Sequence, residues 1–172
     1  EDFPWYPNNR DRVAAQLRNR SQQFQNNPVK FALYSEQINC LIKEGHAEYV
    51  PAHELKGPAG KTLYLNHHAV KHKKKGKFRV VFNAAAKTGG LSLNDAIVPG
   101  PDLLERIVGI LLRFRRFFIA VCADIKAFYL QVKTAPADRD MHRFLWYKNG
   151  IPGNELVDLR MTVHMFGGTA SG

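Results

Sequence analysis

The sequence predicts an α+β fold in which antiparallel strands pack with helices. Three observations support this class: two N-terminal stretches with helical spacing of apolar residues, two pairs of strand segments separated by turns, and an apolar run that ends on an acid. The order of elements is helix, helix, hairpin, helix, strand and hairpin, which predicts antiparallel pairing.

The N-terminal stretch predicts two helices. Residues 11–27 are rich in Arg, Gln and Asn, and their few apolar positions make a weakly amphipathic helix that Pro28 ends. Residues 29–44 carry apolar side chains at helical spacing, and Gly45 is placed to cap the C-terminus of that helix. The apolar positions of the second helix are Phe31, Tyr34, Ile38, Leu41 and Ile42.

A hairpin with a basic tip follows. Residues 48–50 predict a short strand and residues 57–60 a turn, after which residues 62–70 and 77–82 read as two strands. The connection, residues 71–76, is strongly basic. A charge run of this kind is usually a solvated loop, but Arg79 continues the positive charge into the strand, where solvation no longer explains it.

The C-terminal half predicts a loop, a helix and three strands. Residues 83–100 form the loop, and Pro101 with Asp102 opens the helix. Residues 136–140 form a turn between the apolar run and a last pair of strands, residues 141–147 and 155–165, which Gly167 and Gly168 end. The apolar face of the helix consists of Leu103, Leu104, Ile107, Ile110, Leu111 and Phe114.

The apolar run is the feature around which the other elements are arranged. Residues 117–123 predict a strand buried on both faces, and Asp124 stands at its end. A carboxylate there either caps the next turn or binds a positively charged ligand. Tyr129 follows five residues later without helical or strand periodicity around it, which predicts a tight, irregular turn under a site.

Composition indicates a basic globular chain. Its 172 residues are 45% hydrophobic and 23% charged, enough for one domain or a large part of one. The net charge of +10 favours a polyanionic partner, nucleic acid ahead of an anionic membrane, and the alternative is a soluble basic protein without such a partner. The chain begins without Met and stops within a turn, so we expect it to be a fragment.

Other signals limit compartment and chemistry. Cys40 and Cys122 lie far apart, which favours a reducing compartment, cytoplasmic or nuclear, over a disulfide framework. We expect neither a signal peptide nor a membrane-spanning segment, because the 172 residues contain no signal-peptide pattern and no apolar run long enough to span a bilayer. The histidines lack metal-ligand spacing and are interpreted as structural or surface residues, and Lys87 lacks the preceding glycines of a phosphate loop.

Several motifs occur in register from about Gly45 to Gly172, and together they resemble the reverse transcriptase of BEL/Pao long-terminal-repeat retrotransposons. They are YLNHHAV at 64–70, FRVVFNA at 78–84, SLND at 92–95, PGP at 99–101, LLRFR at 111–115 and ADI at 123–125. The resemblance implies the fingers and part of the palm of a right-hand polymerase. Its expected divisions are an N-terminal helical segment (1–45), a fingers-like hairpin with a connecting helix (46–116) and a partial palm (117–172).

The resemblance also implies a function. It is RNA-directed DNA polymerisation with two Mg²⁺ ions, on an RNA or DNA template-primer with deoxynucleoside triphosphates. The expected partners include the rest of a polyprotein that carries protease, RNase H and integrase. No membrane is expected among the partners.

Site residues follow from the same resemblance. Asp124 would bind both metal ions and Ile125 would offer its backbone carbonyl. Tyr129 matches the residue that excludes ribose by sterics, and its alternative interpretation is an ordinary core aromatic. The remaining matches are Arg79 and a lysine, Lys75 or one of its neighbours, on the triphosphate; Phe166 and Gly167 beneath the new base pair; and Lys71, Lys73, Lys74 and Lys77 on nucleic acid.

Two departures from the family pattern limit what this chain should do. Asn83 stands where relatives commonly have Asp, which removes a negative charge near Arg79. No paired-aspartate strand occurs anywhere in the 172 residues, so one metal-binding carboxylate of three is present and we expect no polymerisation by the chain as given. Three interpretations remain open: part of a polymerase, a nucleic-acid-binding relic without chemistry, and a degenerate fragment that folds poorly.

Overall fold

The computed structural model describes residues 4–71, 78–97 and 105–168. Its helices pack with two antiparallel sheets, and the predicted α+β class is confirmed.

Three helices form the N-terminal part. The first predicted helix is divided into α1, Arg10–Asn19, and α2, Ser21–Asn26, and the second is α3, Pro28–Lys43. The cap predicted for α3 is confirmed: Gly45 has a φ of 74°, and the His46 N–H donates to the carbonyl of Leu41 at 2.8 Å. This backbone pattern satisfies carbonyls that the end of a helix would otherwise leave unpaired.

The larger sheet has three strands. Its members are β1, Ala47–Tyr49, and two strands from the far end of the chain that form the predicted hairpin. The strand β5, Leu156–Met161, lies in the centre with β1 on one side and β4, Arg143–Tyr147, on the other. The division at residues 45 and 116 stays a prediction, although β1 and β5 come from different segments of it.

The smaller sheet is the predicted basic hairpin. It pairs β2, His67–Lys71, with β3, Phe78–Phe82, and Val70 lies opposite Arg79. The first strand is shorter than predicted, because residues 62–66 pair elsewhere: the Leu63 and Leu65 N–H groups donate to the carbonyls of Asp140 and Arg143. The tip of the hairpin, residues 72–77, lies outside the described residues.

The core joins the helices to both sheets. Trp146 of β4 stacks on Phe31 of α3 with ring centroids 5.4 Å apart, and Tyr34 lies 4.7 Å from the same indole. His67 and Phe82 of the hairpin complete the cluster, with ring centroids 5.6 Å apart. Helix α3 is therefore held between the two sheets by aromatic packing.

Short helices occupy the connections. A helix that the sequence did not predict, α4, Leu93–Ala96, lies in the long loop, and its Asp95 carboxylate accepts the Ser92 N–H at 2.8 Å. The predicted turn at residues 136–140 is part of the 3₁₀ helix Pro136–His142, and two further 3₁₀ helices are Ala52–Glu54 and Lys148–Gly150. The helix predicted from Pro101 is described as α5, Ile107–Phe114, and its proposed start lies outside the described residues.

The buried strand predicted over residues 117–123 is wrong. These residues form no strand, Phe118 is fully exposed, and Ile119 and Val121 are 84% and 83% exposed. A strand that is buried on both faces needs neighbours to pair with and layers to cover it, and the described residues supply neither here. The apolar residues of α5 are also largely exposed, so its apolar face does not pack on this core.

None of the helices in the described ranges has the length and apolar character needed to cross a membrane.

Candidate functional site

A groove of about 510 Å³ lies where α3, β3, the turn after Asp124 and the chain after β5 meet. Predicted site residues from three distant parts of the sequence contribute to its walls, namely Arg79, Asp124 and Phe166. The other lining residues are Gln37, Cys40, Leu41, Glu44, Val80, Phe82, Lys126, Ala127, Leu130, Met161 and Met165. The groove falls within the usual size range of small-molecule sites.

Arg79 lies on the solvent-exposed face of β3. Its Cζ atom is 5.7 Å from the centre of the Phe166 ring, within the range of a cation–π contact. The ring supports one side of the guanidinium group, and the planar N–H donors are able to bind the oxygens of an anion.

Asp124 is exposed at the groove and is not the cap of the helix that follows it. That helix is α6, Phe128–Gln131, and the residue before it, Ala127, has a φ of 52° and no side-chain cap is formed. A turn at residues 126–127 follows Asp124, but the irregular turn predicted around Tyr129 is wrong because this residue lies in α6, and the capping interpretation of the Asp124 carboxylate is also wrong. Arg79 and Lys126 bring two positive charges to the groove, and Asp124 and Glu44 bring two negative ones.

Tyr129 does not line the groove itself but contacts Phe166, which does. Its half-buried ring is 5.5 Å from that of Phe166, edge to face, and 6.0 Å from that of His164. Phe166 consequently contacts Tyr129 as well as Arg79.

Phe166 and Gly167 are held against β3. The Phe82 N–H donates to the Phe166 carbonyl at 3.0 Å, which extends the hairpin with a third length of chain. Gly167 has a φ of 113°, and a Cβ atom at this position would lie 2.0 Å from the Phe82 carbonyl oxygen. Glycine is required here for both the conformation and the close approach.

The wall formed by α3 was missed by reasoning from sequence. Gln37, Cys40, Leu41 and the C-cap residue Glu44 stand at positions i, i+3, i+4 and i+7 and so share one helix face, but a mixed polar and apolar face gives no signal of a site. Partial desolvation raises the pKa of the Cys40 thiol, and a hydrogen bond with Glu44 raises it further, although the residue as a whole is exposed.

The described residues do not form a Mg²⁺ site by themselves. Among them, no three His, Cys, Asp or Glu side chains come close enough to hold a metal ion. Asp124 would offer one carboxylate. The predicted carbonyl ligand belongs to the next residue, Ile125, whose side chain is 58% exposed. Two hard cations need several oxygen ligands, and this part of the chain does not bring them together.

One of the lysines assigned to nucleic acid or to the triphosphate lies within the described residues. Lys71 ends β2 and is exposed, whereas Lys73, Lys74, Lys75 and Lys77 lie outside the described residues. Their assignment to nucleic acid and to the triphosphate stays a prediction.

The structure has a second cavity, of about 360 Å³. It is lined mainly by apolar side chains of α4, the segment after α6 and the 3₁₀ helix Pro136–His142, and by His142 and His164. None of the predicted site residues lines it.

No family model matches this chain, and no curated protein sequence is similar enough to count as a match.

Proposed function

We propose that this chain forms the fingers and the first part of the palm of a retroelement reverse transcriptase, and that its groove receives the triphosphate of an incoming deoxynucleotide. The observation that carries the proposal is the convergence of Arg79, Asp124 and Phe166, which are widely separated in sequence, on one groove. The resemblance implies that Arg79 contacts the triphosphate, that Phe166 lies beneath the new base pair and that Asp124 binds the metal ions.

The chemistry of the groove supports nucleotide binding. A guanidinium group binds phosphate oxygens through paired, charge-assisted hydrogen bonds, and Arg79 is exposed for this contact. An aromatic ring such as that of Phe166 offers a surface against which a base or sugar is able to pack. The proposal covers binding and not the transfer of the nucleotide, because the described residues do not assemble ligands for Mg²⁺.

A second candidate function is nucleic-acid binding without chemistry. It is favoured by the net charge of +10 together with the incomplete set of metal ligands in the described residues. The two candidates differ in one respect: only the first requires the nucleotide to bind through Arg79.

Titration of the chain with dATP tests the proposal. We expect Arg79→Ala to weaken binding by about tenfold or more, because it removes a charge-assisted pair of hydrogen bonds. The matched control is Arg18→Ala, which removes the same charge from an exposed position on α1 that does not line the groove. Equal losses in the two variants would show that only net charge matters and would contradict the proposal.

The free thiols give an independent measurement. Cys40 lines the groove and Cys122 does not, and both are exposed. We expect dATP to slow the alkylation of Cys40 while leaving that of Cys122 unchanged. Protection of neither thiol by a nucleotide that binds would place the nucleotide elsewhere.

A further inference from the structure

Resting on the proposed function, we infer that Phe166 is a positioning residue that orients Arg79 toward the triphosphate and Tyr129 toward the sugar. Its ring has the Arg79 guanidinium 5.7 Å from one side and the Tyr129 ring 5.5 Å away, edge to face. One side chain thus contacts the phosphate-binding group and the residue assigned to sugar discrimination.

The position of Phe166 is itself determined by the backbone. Its carbonyl accepts the Phe82 N–H at 3.0 Å, and the following residue, Gly167, allows the chain to approach β3 more closely than any residue with a Cβ atom would. The ring is therefore attached to the same hairpin strand that carries Arg79. The distance between the ring and Arg79 is therefore set by contacts within and against one strand.

Arg79 needs such a support because it is exposed. A long, solvated side chain samples many rotamers, and holding it in one of them before the ligand arrives reduces the entropy lost on binding. An aromatic face attracts the guanidinium group without using its N–H donors, which stay available for phosphate oxygens.

The test compares dATP affinity in a set of variants. We expect Phe166→Leu to weaken binding about two- to fivefold, the range of an exposed cation–π contact, and Phe166→Tyr to bind like the parent because it restores the ring. In an Arg79→Ala background, Phe166→Leu should have no further effect. The matched control is Phe128→Leu, since that ring contacts Tyr129 at 5.6 Å but does not line the groove.

A comparison of dATP with ATP tests the contact with Tyr129. We expect the parent to prefer dATP and the preference to decrease in Phe166→Leu but not in Phe166→Tyr. A parent that binds both nucleotides equally, or a preference unchanged in Phe166→Leu, would overturn the role of Phe166 toward Tyr129.

The outcomes separate this inference from the proposed function. A parent that does not bind dATP overturns both, whereas a parent that binds through Arg79 and loses nothing in Phe166→Leu overturns the inference alone. If Phe166→Leu weakened dATP binding equally in the parent and in the Arg79→Ala background, that result would also overturn the inference. Thermal unfolding of each variant, together with the recovery in Phe166→Tyr, distinguishes positioning from a general loss of structure.

Discussion

At the scale of single residues, His67 lies within the YLNHHAV motif and is a buried residue of the core. Its Nε2 lies 3.0 Å from the Leu145 carbonyl, which only accepts, so this nitrogen carries the proton and Nδ1 accepts the hydroxyl proton of Tyr34. Burial lowers the pKa of the imidazole to about 4. The hydrogen bond to Leu145 acts in the opposite direction, and the positive charge of Arg20 lowers the pKa further. The ring is neutral at physiological pH, which agrees with the structural role predicted for the histidines.

This geometry predicts a loss of stability in mild acid. The folded pKa lies below the unfolded value of about 6.5, so the contribution of His67 is fully present above pH 6.5 and is lost as pH falls toward 4. The loss amounts to about 3 kcal/mol in the free energy of unfolding. Urea unfolding at several pH values between 7 and 4 measures it.

Two variants isolate the contribution of His67. We expect His67→Gln to be less stable at pH 7 but to show a weaker pH dependence, with a remainder due to His142, whose pKa burial also lowers to about 4. The control is His68→Gln, the adjacent and exposed histidine, whose charge contributes least to lowering the pKa of His67 and whose replacement should change the pH dependence much less. The same slope in His67→Gln as in the parent would disprove the assignment.

At the scale of elements, ion pairs join the three-stranded sheet to the segments around it. Arg143 of β4 has no exposed side-chain surface, and it donates to Asp140 at 2.8 Å and to the carbonyls of Glu54 and Leu55 at 2.7 and 2.8 Å. Arg160 of β5 binds Glu48 of β1 at 2.7 Å, as well as Glu54 and Asp140. These contacts connect β1, the 3₁₀ helix Ala52–Glu54 and the turn before β4.

Removal of Arg143 should therefore be costly. Arg143→Met keeps much of the side-chain volume but removes the donor of the Leu55 carbonyl and one of the two arginines that bind Asp140, which keeps its contact with Arg160. We expect the broken buried pair to cost about 3 kcal/mol in the free energy of unfolding. The control is Lys148→Met, which breaks the exposed ion pair with Glu155 on the adjacent turn and should change stability little. Chemical denaturation of both variants at pH 7 provides the comparison, and a small loss in both would mean that the carbonyls find water instead.

At the scale of the whole molecule, apolar exposure is concentrated in one part of the chain. Many large apolar side chains of residues 107–132 are exposed, among them Leu112 at 69%, Phe117 at 70% and Ile119 at 84%. Extensive exposed apolar surface promotes association. The arginines interspersed in it, at positions 106, 113, 115 and 116, limit that tendency without covering the surface.

This distribution predicts self-association of the isolated chain at raised concentration. Combined Phe118→Ser and Val121→Ser changes should increase the monomer fraction, while the free energy of unfolding changes by no more than about 0.5 kcal/mol because neither side chain packs in the core. Sedimentation velocity measures the association. Val29→Ser, at an exposed position on α3 outside residues 107–132, serves as the control and should not change it.

The sequence alone determined the elements that local chemistry specifies. Apolar periodicity with Gly45 at the C-terminal end predicted α3, and two strand segments around a basic turn predicted the β2–β3 hairpin. The C-terminal hairpin was predicted for the same reason. Each of these elements depends mainly on residues that are near one another in the chain, and the sequence displays such residues directly.

Only the tertiary structure decided which surfaces are covered and which residues meet. Residues 117–123 have the composition of a buried strand, yet burial requires partners from elsewhere, and the described residues provide none. The α3 wall of the groove, the burial of Arg143 and the support that Phe166 gives Arg79 are contacts across 80 or more residues or between separate elements. Such contacts depend on how the elements pack, because side-chain type and spacing specify a face but not what lies against it.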